Sequence, residues 1–439
     1  SVPVRVDGYW YFGRTVEGRQ YGMQCRIPVR SDDDWDPPIV DPSSVPGSLR
    51  GEEIIFDANA EAEGHDFFRL GGMDVSRDGR RMLYGVDVTG NERYDFRVRD
   101  LTTGEDLPDR LTSLGGACLT PDGRWVFTVE VDDAWRPCAI WRHRVGTDQS
   151  ADVEVYRERD ERFWISVGMS FDESLIVISV DSKTTSEMWT LDVHDPQGEF
   201  EVFIPRREGI EYSVGFSTLE GAGDSGEDVP IAVVYHNVVN PNFEFDVVDL
   251  RSHRPPYSLG EGIVVAQGSP YGCEKGAAVI PGASALPAGP AYDEPRNPAA
   301  PRGARGLTLD GMSVRRDYVV MAYRAQGLPH MAVISKREAV EDYRAGRPWG
   351  FREVVVPELT NDDMAEDEGR LYSVGMSGNP SYDAPRVRYS FTSLTRPGEL
   401  HEYDPISGED RLLKCAEVPG GVDPRNYAER RVWLTARDG

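Results

Sequence analysis

The chain has 439 residues, 39% of them hydrophobic, and carries 48 Lys+Arg against 75 Asp+Glu, a net charge of −27. It is long enough to bury a large core, and its acidity argues against nucleic acid or an anionic membrane as a partner. No apolar run approaches the ~20 residues that span a bilayer, and Ser1-Val2-Pro3-Val4-Arg5 has no basic segment followed by an apolar one, so no membrane or export signal is expected.

In chain order the predicted elements are short strands grouped in units at about 8–58, 67–111, 113–158, 163–205, 211–267, 306–357 and 371–418. The first unit contains an acidic excursion from Ser31 to Gly51. Hairpin turns then recur at Asp78-Gly79-Arg80, Asp122-Gly123-Arg124 and Asp172-Glu173, spaced 44 and 50 residues apart. A second turn type follows at Thr103-Gly104-Glu105, Gln197-Gly198-Glu199 and Ser407-Gly408-Glu409. Glycine suits such turns because hairpins need positive φ. The third unit is the clearest, with strands expected at Leu114 to Thr120, Trp125 to Val131, Pro137 to Val145 and Asp152 to Glu158.

One pentapeptide opens three units, as Ser166-Val167-Gly168-Met169-Ser170, Ser213-Val214-Gly215-Phe216-Ser217 and Ser373-Val374-Gly375-Met376-Ser377. The run Leu175 to Val180 reads as a strand covered on both faces. Ser269 to Arg305, rich in Pro, Ala and Gly, reads as a mobile insertion. A strand-only repeat of roughly 40 to 50 residues is the mark of a propeller. The predicted fold is all-β: one domain, a seven-bladed β-propeller of four-stranded antiparallel blades.

Catalytic motifs are sparse. Gly168-Met169-Ser170-Phe171-Asp172 and Gly375-Met376-Ser377-Gly378-Asn379 approach G-x-S-x-G without completing it. They end strands rather than opening a helix, so their serines are read as turn residues. There is no H-E-x-x-H, Walker loop or EF-hand spacing. The runs Asp32 to Asp36 and Asp362 to Glu368 lack the alternation of a calcium loop. The seven histidines are scattered, and His143 reads as a blade residue with a satisfied ring. Histidines and carboxylates do not repeat at matching blade positions. No catalytic residue, cofactor or metal is therefore expected. Cys25, Cys118, Cys138, Cys273 and Cys415, odd in number and without C-x-x-C, favour a reducing compartment and a cytoplasmic location.

Several stretches carry a specific resemblance. They include Gly8-Tyr9-Trp10-Tyr11-Phe12-Gly13-Arg14-Thr15, Gly64-His65-Asp66-Phe67-Phe68, and Arg136-Pro137 leading to Ile140-Trp141-Arg142-His143-Arg144-Val145-Gly146-Thr147. Ser182-Lys183-Thr184-Thr185-Ser186-Glu187, Pro205-Arg206-Arg207, Arg388-Tyr389-Ser390-Phe391-Thr392-Ser393 and Glu417-Val418-Pro419-Gly420-Gly421 extend it over most of the chain. These resemble the propeller of oligopeptidase B, in the prolyl oligopeptidase family; 269–305 and the stretch around Leu219 to Glu227 depart from the pattern.

The resemblance implies a propeller lying over an α/β-hydrolase domain, absent from this chain, whose Ser, Asp and His cleave short peptides after Arg or Lys. The propeller would exclude folded proteins and gate short ones, with hinges near Val4 to Gly8 and Thr435 to Gly439. Both chain ends match the boundary of that domain, so an excised propeller, inactive alone, is expected. Its partners would be the hydrolase domain and short basic peptides, which the acidic surface would concentrate. Glu130, Asp132 and Asp133, charged where the chain leaves a buried strand, are the candidates for pairing with a hydrolase arginine or a basic substrate; the plainer reading is an acidic turn. The rival is a free-standing propeller that binds a protein partner. It is separated from the first by whether the natural reading frame continues past Gly439.

Overall fold

The computed structural model describes residues 1–260, 262–267, 307–325, 328–354, 356, 371–421, 423, 426, 427, 429 and 437. The expected insertion 269–305, Cys273, the run Asp362 to Glu368 and all of Trp433 to Gly439 except Arg437 lie outside these residues. The chain divides into two compact units, residues 1–209 with 255–257, and residues 210–254 with 258–439.

The first unit opens with a four-stranded sheet, β1 (Val4–Val6), β2 (Tyr9–Arg14), β3 (Met23–Pro28) and β4 (Glu53–Asp57). Its first strand precedes the expected start at residue 8, because three residues before a turn are too short to read as a strand. An eight-stranded sheet follows: β5 (Arg69–Val75), β6 (Arg81–Asp87), β7 (Tyr94–Asp100), β8 (Glu105–Asp106), β9 (Leu111–Leu119), β10 (Trp125–Val131), β11 (Pro137–Arg144) and β12 (Val153–Arg157). A four-stranded sheet, β13 (Trp164–Met169), β14 (Leu175–Asp181), β15 (Ser186–Asp192) and β16 (Glu201–Ile204), completes the unit.

The second unit has three four-stranded sheets. They are β17 (Tyr212–Leu219) to β20 (Ile263–Gln267), with β18 (Val229–His236) and β19 (Glu244–Asp249) between; β21 (Leu307–Val314), β22 (Tyr318–Ala325), β23 (Leu328–Ser335) and β24 (Arg352–Glu353); and β25 (Tyr372–Met376), β26 (Val387–Ser393), β27 (Glu399–Tyr403) and β28 (Asp410–Cys415). Helix α1 (Ala58–Glu61) follows β4, and α2 (Lys336–Arg344) joins β23 to β24. The longer helix starts at a capping box, in which the Ser335 hydroxyl accepts from the Glu338 N–H and the Glu338 carboxylate accepts from the Ser335 N–H.

The fold is thus all-β, built from antiparallel blades, but among the described residues five four-stranded sheets stand separate where seven were expected. β8 has only two residues and covers one end of β7, at Arg99 and Asp100. The other end keeps unpaired backbone groups, and β9 extends to meet them at Tyr94↔Leu114 and Phe96↔Leu111. The break expected at residues 111–113 is therefore inside a strand, bent at Ser113 with φ 62°.

The repeated turns share one chemistry. Ser76, Thr120 and Ser170 each donate a hydroxyl hydrogen bond to the aspartate two residues on (2.7, 2.7 and 2.6 Å). The same hydroxyls accept the N–H of Arg81, Trp125 and Leu175 (3.0, 3.1 and 2.9 Å). Ser170, the last residue of a repeated pentapeptide, is accordingly a turn builder. Gly79 and Gly123 hold the positive φ of these turns, and Glu173 takes it at the third. The strand Leu175 to Val180 was expected to be covered on both faces; instead Ile176, Ile178 and Val180 are buried while Leu175, Val177 and Ser179 are only half-buried. The buried set packs with Phe127, Ile140 and Ile165, so hydrophobic contact across sheets positions the ends of β10, β11 and β13.

Candidate functional site

β10 and β11 carry the sequence-predicted carboxylates to one end of the eight-stranded sheet. Glu130, one residue before the end of β10, accepts from Trp141 Nε1 at 2.6 Å and pairs with Arg157 at 3.1 Å. Asp132 builds the turn that follows. Its Oδ1 accepts the N–H of Ala134 (2.9 Å) and of Arg136 (3.0 Å), and its Oδ2 meets Arg136 Nε at 3.1 Å. These donors, the Arg136 backbone first, hold its carboxyl below the usual range. Asp133 is exposed at the tip. Beside it Trp135 sits at φ 60°, donates Nε1–H to Asn91 O (2.7 Å), and lies under the Arg93 guanidinium.

The turn connects to a buried ionic network that sequence reasoning did not find. Arg136 donates to the carbonyls of Glu158 and Phe163. Glu158 and Glu187, with side chains 7% and 9% exposed, both hold Arg206, at 2.5 and 2.9 Å. Every side of this group is satisfied: Tyr156 OH donates to Glu158 (3.1 Å), Trp189 Nε1 donates to Glu187 (2.8 Å), and Arg206 stacks on Phe163. Burial pulls the Glu187 carboxyl up, but hydrogen bonds from Arg206 and Trp189 outweigh it and leave the pKa below the ordinary value. Two carboxylates holding one guanidinium by paired hydrogen bonds raise the Arg206 pKa. The signal in the sequence was Glu187 on the strand that bears Trp189 and Arg206 just past the partner strand β16, positions that only strand register brings together.

Histidine positions require a correction. The expectation that histidines and carboxylates do not recur at matching positions fails in three sheets. His143 on β11, His330 on β23 and His401 on β27 each place Nδ1 against a carboxylate just before the next strand or within it, Asp152 (2.6 Å), Glu353 (2.7 Å) and Asp410 (2.7 Å). The pairs were hidden because the partners lie 9 to 23 residues apart, across a turn or, for His330 and Glu353, across α2, rather than two to four residues apart. His143 is also bound through Nε2 to Asp109 (2.9 Å), so its ring is satisfied on both sides, as expected. Its burial depresses the imidazole pKa, yet hydrogen bonds and charge from Asp109 and Asp152 overcome that and lift it to about 9.

One nucleophile-like group lies in the second unit: Ser217 Oγ contacts Tyr382 OH at 2.6 Å and accepts from Lys336 Nζ. Ser217 and Lys336 are 5% and 8% exposed, so among the described residues the group is buried rather than open to a cleft. Among the described residues one trio has metal-ligating atoms within mutual reach, His236, Glu244 and Asp246.

Residues 1–219 match the family model for the prolyl oligopeptidase N-terminal beta-propeller domain. Over 446 aligned residues the chain is 29% identical to dipeptidyl aminopeptidase BI of Pseudoxanthomonas mexicana, covering 100% of this chain and 51% of that protein. Protease 2 of Moraxella lacunata is 25% identical, with the same coverage, 100% and 51%. Oligopeptidase B from Leishmania major superposes with a TM-score of 0.73 at 22% identity, over 100% of this chain and 51% of that one, a likeness of fold. The chain spans about half the length of the curated relatives it matches.

Proposed function

Because the chain belongs, as its N-terminal β-propeller, to the prolyl oligopeptidase family of serine peptidases, we propose that it is the gating and substrate-filter part of an oligopeptidase B-like enzyme that cleaves short peptides after Arg or Lys. The observation that carries this reading is the coverage: all of the chain aligns with about half of the dipeptidyl aminopeptidase BI and protease 2 chains. The partner is then an α/β-hydrolase domain holding the Ser, Asp and His, for which the half of each of these relatives that the chain does not cover leaves room. Counting the eight-stranded sheet as two blades joined at β7 and β9, the reading takes the propeller as seven-bladed.

The acidic surplus of 75 against 48 supports a filter for cationic peptides, because a net negative surface raises their local concentration and encounter rate. Glu130, Asp132 and Asp133 divide that task. Glu130 and Asp132 are engaged by Arg157 and Arg136 and fix the shape of the turn. Asp133 offers its carboxylate to solvent, and so to an arginine of a peptide or of the hydrolase. Free thiols at Cys25, Cys118, Cys138 and Cys415 support a reducing, cytoplasmic setting.

The test is to read the natural gene past the codon for Gly439, express the whole product and assay short N-blocked peptides bearing Arg, Lys, Ala or Glu before the scissile bond. Cleavage after Arg and Lys, with kcat/KM falling as salt rises, is the expected result. A stop at that codon, or cleavage indifferent to the basic residue, overturns it. The relative of 29% identity is named a dipeptidyl aminopeptidase, which favours a second reading, release of dipeptides from a free N-terminus. Turnover of unblocked but not N-blocked substrates would select it.

A further inference from the structure

We propose that His236, Glu244 and Asp246 form a binding site for one divalent cation of the zinc type. The ligands come from one hairpin. His236, the last residue of β18, is the register partner of Glu244, the first of β19, while Asp246 lies opposite Val234. Residues directly opposite on paired strands share a face, and so do residues two apart, so all three side chains emerge on one face of the sheet. All are buried, at 0%, 2% and 1% exposure, and their ligand atoms lie within 4.8 Å of one another.

The polar accounting of this trio points to a cation. Neither oxygen of Asp246 nor His236 Nε2 has a hydrogen-bond partner among the described residues. His236 Nε2 and Asp246 Oδ2 are 3.1 Å apart, yet not aligned for a hydrogen bond. That spacing is close to the separation of two ligands that share a metal with bonds of ~2.0–2.2 Å. A buried carboxylate without donors is costly, and among the described residues His236 is the only basic side chain within ion-pair distance of Asp246. A divalent ion neutralises the carboxylates and occupies the orphaned atoms together. Imidazole with carboxylate oxygen is a donor set suited to Zn²⁺, with water completing the shell.

Binding has a defined proton consequence. The Val238 N–H donates to His236 Nδ1 at 3.3 Å, which leaves the ring proton on Nε2 in the metal-free protein. Coordination through Nε2 moves that proton to Nδ1, gives up the Val238 contact and turns Nδ1–H toward Glu244 Oε1, 3.8 Å away. Glu244 can therefore orient the ring with one oxygen while the other faces the ion.

The experiment strips the full chain with a chelator and titrates it with Zn²⁺ alone, then repeats the titration with Co²⁺ and reads the visible bands of the ion. The expected result is saturation at ~1 ion per chain, Co²⁺ bands of a low-coordinate site, and a rise in melting temperature on loading. In Asp246→Asn the binding weakens about a hundredfold or more, and the metal-free melting temperature does not fall, because the substitution removes a buried charge without a donor. Should Asp246→Asn fail to fold, His236→Gln serves in its place. A wild-type chain that binds Zn²⁺ no more tightly than either variant overturns the proposal and leaves His236 and Asp246 as a metal-free buried contact.

Discussion

Arg206 with Glu158 and Glu187 in the first unit, and His236 with Glu244 and Asp246 in the second, start from the same ingredients and end differently. Each buries two carboxylates beside one cationic or potentially cationic group. In the first, the guanidinium donates to both carboxylates, and a tyrosine and a tryptophan supply further donors. In the second, the Asp246 oxygens receive no donor among the described residues. The lesson concerns satisfaction rather than charge: a buried carboxylate surrounded by donors is architecture, and one without them is a site waiting for a cation.

The sharpest way to break this contrast is to make the first region resemble the second. Arg206→Met leaves Glu158 and Glu187 buried without their cation and is expected to cost about 3–5 kcal/mol in urea unfolding. Arg206→Lys restores charge but not the forked geometry and should recover only part of the loss. A cost below about 1 kcal/mol for Arg206→Met would mean that water replaces the guanidinium, and the contrast with Asp246 would lose its basis.

His143 is the intermediate case, a buried imidazole satisfied on both nitrogens by Asp109 and Asp152. Its folded pKa, about 9, lies above the ordinary 6.5, so the proton is held more tightly in the folded chain. The corresponding stability is fully present below about pH 6.5 and is lost as pH rises through about 9, amounting to about 3 kcal/mol by linkage. Unfolding free energies measured across that window should fall for the wild type, and the slope should flatten in His143→Gln. An unchanged slope in the variant would place the titration elsewhere.

How much of this was legible in the sequence depended on the distance over which each feature is decided. The turns at Asp78, Asp122 and Asp172 were readable because Ser or Thr, Asp and the positive-φ position lie within six residues. The bounds of β10 were readable for the same reason. The joining of β7 to β9 was not, because it follows from the shortness of β8, which composition does not mark. Arg206 and Glu158 are 48 residues apart, and Glu244 and Asp246 lie 8 and 10 residues beyond His236 across a hairpin. Strand register alone brings such partners together, whereas Glu130 and Asp132 were visible as charges but not as the Trp141 and Arg136 contacts that occupy them.

A smaller effect, of opposite sign, sharpens the contrast from the other side. Asp246→Asn in the presence of chelator should stabilise the chain by roughly 1 kcal/mol or leave it unchanged, because no donor is lost and one buried charge is removed. Glu187→Gln, the parallel change in the first region, should destabilise it in the same assay, because Arg206 loses a charged acceptor. Equal losses at both positions would show that the two networks are satisfied alike.

The least change in stability belongs to Asp133, and its value lies in separating architecture from recognition within one turn. Asp132→Ala removes the acceptor for the N–H groups of Ala134 and Arg136 and should cost about 1 kcal/mol, close to the loss of a helix cap. Asp133→Asn, at the exposed tip, should change stability by less than about 0.5 kcal/mol. If the exposed carboxylate steers cationic peptides, the same substitution in the full-length enzyme lowers kcat/KM for an Arg-containing peptide at low salt, and the difference closes as salt screens it. A loss that persists at high salt would instead assign Asp133 a direct contact with the substrate or the hydrolase. No loss at any salt would leave the turn as scaffold and move the filter to another part of the acidic surface.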